Sequence, residues 1–406
     1  MTADARLLAH PSHPSGPDTL LTHGGRQPAS HHGLVNMPIY RGSTILADSL
    51  EQWESRKTPD NPYASYGRFG TPITHAFEDM LASLEGGYRA RVYPSGLAAC
   101  THALLAFAGA GDHVLLPDCV YGPMRAFAKG TLGRLGIAAE FYDPAIGAGI
   151  RDLLRPTTRV VYLEAPGSGT FEMLDIPAIA REARRCGAFV VMDNTWATPI
   201  YLRPFELGVD VSVHAATKYI VGHSDAILGV ATASRQAWPR LRDGAAAWGQ
   251  TVGPDELFLA LRGLRTLHVR LKRHWESGLA LAGMLSRHPM VRRVMHPALP
   301  GDPGHALWRR DFTGASGLFA VELQPVAQQS LSVFFSALQL FGIGLSWGGF
   351  ESLVLPMDPP QRDAKPFACT GPLVRIHAGL ESCEDLQADL CQALDAMQRH
   401  ARAGTA

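Results

Sequence analysis

Three kinds of side chain stand where apolar runs end, and each is costly to bury without a task or a partner. Lys218 closes VDVSVHAATK with only alanines and a threonine beside it, Asp193 closes AFVVMD, and Ser95-Gly96 opens the apolar pattern GLAACTHALLAFAG. A lysine desolvated at a strand end has its ammonium form disfavoured, so its neutral amine becomes a nucleophile towards aldehydes. A carboxylate after an apolar strand must be hydrogen-bonded, and one use for it is to hold a proton on a heterocyclic nitrogen. The first N–H groups of a helix, with the positive end of its dipole, suit a phosphate. Each has a plainer reading: Lys218 in a salt bridge, Asp193 opening an Asx turn with Asn194 and Thr195, Ser95 as an N-cap. Together, on successive strand ends, they describe a holder for pyridoxal phosphate, with Lys218 as covalent anchor, Asp193 on the ring nitrogen and the helix start on the phosphate.

The elements that must position these groups follow from hydrophobic pattern. DHVLLPD, AAEFYDP, TRVVYLEAP, AFVVMDN and VDVSVHA read as strands, separated by helices over GLAACTHALLAFAG, GPMRAFAKGTLGRLG and DIPAIAREARRCG. Near-continuous apolar strands alternating with helices predict an α/β fold, a mostly parallel sheet covered by helices on both faces. In such a sheet ligands lie outside the carboxyl ends of the strands. Residues 1–70 are rich in His, Pro, Gly and Ser and read as an extended arm; 71–264 form the large cofactor-binding α/β domain, its first helix opened by Thr71-Pro72. From 265 to 406 helices and antiparallel-looking strands (SGLFAVEL, PLVRIHAGL) predict a C-terminal α+β domain.

Bulk composition narrows the partners. The chain has 406 residues, 46% hydrophobic and 18% charged, with 37 basic against 37 acidic side chains. No net field draws it to nucleic acid or an anionic membrane. No apolar run approaches the roughly 18 residues of a membrane span, and the start lacks the layout of a secretory signal. Six cysteines without C-x-x-C pairs or zinc-finger spacing read as reduced, buried bystanders, and no metal site is expected. The expectation is a cytoplasmic protein whose partners are small molecules and copies of itself.

Beyond the strand-end residues, YGRFGTP (66–72), PSGLAA (94–99), YGPM (121–124), LEAPGS (163–168), MDNTWATP (192–199), VHAATKYIVGHSDA (213–226), SWGGFESL (346–353) and VRIHAGLE (374–381) occur in order. Through these segments the chain resembles the Cys/Met-metabolism family of pyridoxal-phosphate enzymes, of fold type I, and within it the bacterial cystathionine β-lyase branch. The likeness runs from Leu21-Thr22-His23 nearly to the C-terminus. It implies that Lys218 is the Schiff-base lysine, Asp193 the pyridinium partner, and Ser95, Gly96, Leu97 and Thr217 the phosphate contacts. Tyr121 stacks on the ring and helps move protons, Arg375 grips the substrate α-carboxylate, and Ser346 and Trp347 border the substrate pocket. Tyr66 and Arg68 reach the cofactor phosphate of a neighbouring subunit, which implies a dimer with shared sites, assembled further into a dimer of dimers, a homotetramer.

Departures from the pattern bear on the reaction. Where γ-lyases and γ-synthases of the family carry Asn-Pro, this chain has Ser168-Gly169; where they have a serine before the lysine it has Ala215; and Pro123 stands where methionine γ-lyases have cysteine. The resemblance therefore implies α,β-elimination of L-cystathionine to homocysteine, pyruvate and ammonia, a step of methionine biosynthesis, with cystine or cysteine as further substrates. The rivals are a γ-lyase or γ-synthase, a cysteine desulfhydrase, and a non-catalytic regulatory protein on the same fold.

Overall fold

The structure is a computed structural model that describes residues 16–57 and 65–403. Most of the polar start, residues 1–18, and the part of the arm at 58–64 lie outside the described residues. A 7-stranded sheet has the order β1-β7-β6-β5-β4-β2-β3. Its strands are β1 (Arg89–Tyr93), β2 (His113–Pro117), β3 (Ala138–Tyr142), β4 (Thr158–Glu164), β5 (Phe189–Asp193), β6 (Val211–His214) and β7 (Gly229–Ala233). Only β7 runs against its neighbours, β1 and β6, so the sheet is mostly parallel. Apart from the partly buried Phe189, the apolar residues of β2, β4 and β5 are buried on both faces, as their unbroken hydrophobic runs demanded.

A second, 5-stranded sheet follows the order β10-β11-β12-β9-β8. It comprises β8 (Val291–Met295), β9 (Leu318–Leu323), β10 (Gly342–Ile343), β11 (Leu353–Met357) and β12 (Leu373–His377), with antiparallel pairing except between β10 and β11. Helices Leu267–Leu285 and Cys383–Ala403 contribute Leu281, Leu285, Leu386, Leu390, Leu394 and Met397 to its core. The two sheets are tied where the site lies: the Trp196 indole N–H donates to the Leu318 carbonyl at 3.0 Å, and the Gly317 N–H donates to the Tyr219 hydroxyl at 3.1 Å.

Two strands escaped the sequence pattern. β1 (RARVY) interrupts its apolar residues with arginines, and β7 (GVATA) dilutes its valine and threonine with a glycine and two alanines of poor strand propensity. The small residues of β7 serve packing. A Cβ on Gly229 would sit 2.2 Å from the Ser95 carbonyl oxygen, and one on Gly96 would sit 2.4 Å from the Ala215 Cβ. Those two glycines let helix Gly96–Leu105 press its N-terminus onto the strand ends. A short helix, Pro17–His23, also forms within the arm; the Arg265 guanidinium holds its end by donating to the Leu21 carbonyl at 2.6 Å and the Gly24 carbonyl at 2.8 Å. The helix read over 122–136 forms as Gly122–Phe127, a π turn Ala128–Leu132 and a last helical pair at 133–134.

Candidate active site

The carboxyl ends of β4, β5 and β6 bring Glu164, Asp193 and the Lys218 loop together, because β5 is in register with both neighbours. Lys218 is largely buried, and its amine donates to the Ser346 hydroxyl at 2.5 Å and lies 5.5 Å from the centre of the Trp347 ring. Among the described residues no carboxylate forms an ion pair with it. Burial, with the Arg375 charge adding to it and Asp193 opposing, lowers its pKa from 10.5 to about 8. Of the plainer readings of Lys218, the salt bridge is absent among the described residues.

Ser346 is the hub of this corner. Its φ of 87° is a conformation rarely adopted by a residue with a side chain. In it, the hydroxyl meets Lys218 while the carbonyl accepts from the Arg375 guanidinium at 2.9 Å. Arg375 makes no ion pair among the described residues, so its remaining donors are free for a carboxylate. Burial lowers its pKa, countered by Tyr121.

Asp193 uses its two oxygens unequally. Oδ1 accepts from the Thr195 N–H at 2.9 Å and the Thr195 hydroxyl at 2.5 Å, the Asx turn that the sequence allowed. Among the described residues Oδ2 receives only the weak Cys100 thiol at 3.6 Å and is left with capacity for a strong donor. Ser95 caps helix Gly96–Leu105, its hydroxyl accepting from the Ala98 N–H at 3.1 Å. The N–H groups of Gly96 and Leu97 have no acceptor among the described residues, so cap and anion site coexist at this helix end. Tyr121, 40% exposed, has its backbone N–H held by the buried Glu164 carboxylate at 2.7 Å. Burial, with Cys100, Asp193 and Glu164 adding to it, pushes the Tyr121 hydroxyl up, so it keeps its proton at neutral pH. Burial and Asp193 likewise push Glu164 well up.

These features meet the demands of pyridoxal phosphate one by one: a reactive amine for the aldehyde, an under-used carboxylate oxygen for the ring N–H, free helix N–H groups for the phosphate and a tyrosine for the ring face. Thr217 stands apart, because its hydroxyl donates to the Leu228 carbonyl and accepts the Leu228 N–H, both at 3.1 Å. Tyr66 and Arg68 are not gathered into the cluster of their own chain. Tyr66 precedes a 3-10 turn, Gly67–Phe69, in which Arg68 lies, and Arg68 donates to the Ala246 carbonyl at 3.0 Å.

Glu164 and Cys100 were missed as site residues. Glu164 ends an apolar strand just as Asp193 does, so the same rule would have found it. Cys100 lies one turn into the helix from Ser95, and nothing in its sequence neighbourhood distinguishes it from the other thiols.

A second polar cluster joins β6 to the end of the helix Pro72–Glu85. His214 and Glu85 are both buried and 2.6 Å apart, with the Ser212 hydroxyl donating to the same carboxylate. Burial pushes Glu85 up, but the His214 charge and the hydrogen bonds from His214, Ser212 and Thr232 outweigh it and hold the carboxyl below its ordinary value.

Comparison with known proteins agrees with this geometry. The family model for the Cys/Met metabolism PLP-dependent enzymes matches residues 18–395. A cystathionine beta-lyase of Bordetella avium is 44% identical over 93% of this chain and 97% of its own length. The cystathionine beta-lyase of Salmonella typhimurium is 42% identical over 92% of this chain and 96% of its own. An L-alanine/L-glutamate racemase of Wolbachia pipientis is 38% identical over 93% of this chain and 96% of its own.

Proposed function

The chain belongs to the Cys/Met metabolism PLP-dependent enzymes, and from that premise we propose that it catalyses α,β-elimination of L-cystathionine to homocysteine, pyruvate and ammonia. The observation that carries the reading is a pair of groups driven apart in acidity: Lys218 lowered to about 8 and Tyr121 raised, both by burial. An elimination needs one group to take the Cα proton and another to protonate the departing thiolate, and a site with separated pKa values supplies both.

Lys218, Asp193, Tyr121 and the N–H groups of Gly96 and Leu97 hold pyridoxal phosphate, with Ser95 framing the helix end. When bound, that cofactor supplies the electron sink for the carbanion at Cα. Arg375 pairs with the substrate α-carboxylate through donors that Ser346 leaves free. Lys218, as neutral amine, removes the Cα proton from the side on which Ser346 and Trp347 hold it. Asp193 Oδ2 keeps the ring nitrogen protonated. Tyr121, whose backbone Glu164 fixes, delivers a proton to the leaving sulfur.

The working unit in this reading is a homo-oligomer, a dimer with shared sites paired into a tetramer. The arm 1–70 exposes Val35, Leu46 and Leu50 at 62%, 83% and 74%, apolar surface that a second copy would cover. Arg68 and Tyr66, outside their own chain's cluster, are then available to a neighbour's phosphate, and Thr217 reaches its own chain's phosphate by giving up its bond to the Leu228 carbonyl. The large and C-terminal domains divide near residue 264. All six cysteines are free thiols, which suits a cytoplasmic location, and among the described residues no helix is long and apolar enough to cross a membrane.

The test is product analysis on L-cystathionine with the purified holoenzyme. Equal amounts of pyruvate and homocysteine are expected. Release of 2-oxobutyrate and cysteine would replace the reading with γ-elimination. D-alanine from L-alanine, without elimination, would replace it with the chemistry named for the Wolbachia relative.

A further inference from the structure

Ser346 carries both contacts that orient the site, yet its backbone conformation is strained and needs an outside hold. The hold comes from beneath. Gly348, at φ 84°, packs so closely on the loop after β6 that a Cβ there would sit 2.8 Å from the Tyr219 nitrogen. The Gly348 N–H points at the Nε2 of His377, 3.1 Å away, and the Gly349 carbonyl lies 3.2 Å from the same nitrogen. His377 is buried two residues beyond Arg375 on β12. A neutral imidazole ties this loop in either tautomer: as acceptor it takes the Gly348 N–H, as donor it gives to the Gly349 carbonyl.

We infer that His377 is a positioning residue: its imidazole pins Gly348 and Gly349, and through them holds Ser346 where its hydroxyl meets Lys218 and its carbonyl meets Arg375. The inference rests on the reading of Lys218 as the amine that takes the cofactor aldehyde.

The surroundings of His377 suit a fixed, uncharged strut. His274, from helix Leu267–Leu285, stands 5.1 Å away ring to ring, and Tyr219 5.9 Å away. Burial, His274, Arg375 and Lys218 all hold its pKa well below the ordinary histidine value, against the pull of the Gly349 carbonyl. The ring therefore stays neutral while Lys218 titrates above it. A residue needed only for volume would not require a polar ring here, because burying an imidazole is costly unless its hydrogen bonds are used. Among the described residues His377 Nδ1 has no hydrogen-bond partner, so Nε2 is the ring atom that ties the loop.

The test separates hydrogen bonding from packing. His377→Leu keeps volume and removes the bond; His377→Gln places an amide near the Nε2 position; His377→Asn is too short to reach. The first readout is the rate at which cofactor-free protein regains visible absorption on adding pyridoxal phosphate, followed against pH beside wild type. The groups that set this profile are Lys218 itself with Arg375 and Asp193. In His377→Leu and His377→Asn the loosened loop admits water to Lys218, so the midpoint moves upward from about 8 towards the ordinary 10.5. The second readout is steady-state elimination, where KM rises about 10-fold as Arg375 loses its fixed orientation and kcat falls about 10-fold. His377→Gln stays within about 3-fold of wild type in both, as a restored contact requires. A His377→Leu protein with the wild-type pH profile, or a His377→Gln protein indistinguishable from His377→Leu, overturns the inference. If His377→Leu does not fold, the Gln and Asn variants decide it by the same criterion. Lys218→Ala is the control: if it regains absorption as wild type does, the lysine assignment fails rather than the role of His377.

Discussion

His214 and Lys218 lie four residues apart along the chain, the first buried, the second largely so, and both basic, and the fold treats them oppositely. His214 receives a carboxylate at 2.6 Å, and a serine hydroxyl supports the pair. Lys218 receives a neutral hydroxyl, an aromatic ring and a neighbouring guanidinium, and its pKa falls to about 8. A buried basic group given its counter-charge is part of the scaffold. Denied it, the same kind of group becomes a reagent, at a cost in stability that the surrounding packing must offset.

That contrast is broken most severely by giving Lys218 what His214 has. Ser346→Asp places a carboxylate against the amine, at a backbone conformation that aspartate tolerates better than most residues. The carboxylate raises the lysine pKa from about 8, so less neutral amine is present at neutral pH. A loss of about 10- to 100-fold in kcat/KM is expected, recovering as pH rises, in a pH–rate profile of the variant. A variant with unchanged activity and profile would detach the amine's acidity from catalysis.

Taking the counter-charge away from His214 has the complementary outcome. Glu85→Ala leaves the buried His214 ring and Ser212 hydroxyl without their shared acceptor and is expected to cost about 1–3 kcal/mol in denaturant unfolding, with kcat/KM of the folded fraction little changed. Because the Glu85 carboxyl is held below its ordinary value of 4.5, its contribution is complete above that pH. It is lost as pH falls through the depressed folded value, so the gap between variant and wild type narrows in acid. A Glu85→Ala protein with wild-type stability at neutral pH but crippled turnover would reverse the roles given to the two clusters.

The parts of this account that sequence made legible are those where a charge ends an apolar strand. Lys218 and Asp193 stood out for that reason, and the parallel sheet followed from the uninterrupted apolar runs. Glu164 obeys the same rule, but its Glu-Ala-Pro context also matches a family motif, which masks the buried charge. Ser346 and Trp347 entered only through the resemblance: a serine's value there lies in a positive φ and two tertiary contacts, and neither has a local pattern. His377 was hidden for a related reason, as one histidine in an apolar strand whose partners come from residues 348 and 349. β7 was invisible because its glycine and alanines are chosen for the close approach of a helix rather than for strand propensity. Tyr66 and Arg68 lie outside the cluster of their own chain, so their proposed role waits on a second copy.

The central claim is that Lys218 is a buried amine kept without a counter-charge. Its most direct test is an NMR titration of cofactor-free protein whose lysines carry 13C-methyl labels, with Lys218→Met identifying the resonance. This one lysine is expected to titrate near 8 while exposed lysines titrate near 10.5. A Lys218 resonance that titrates with the exposed lysines would contradict it.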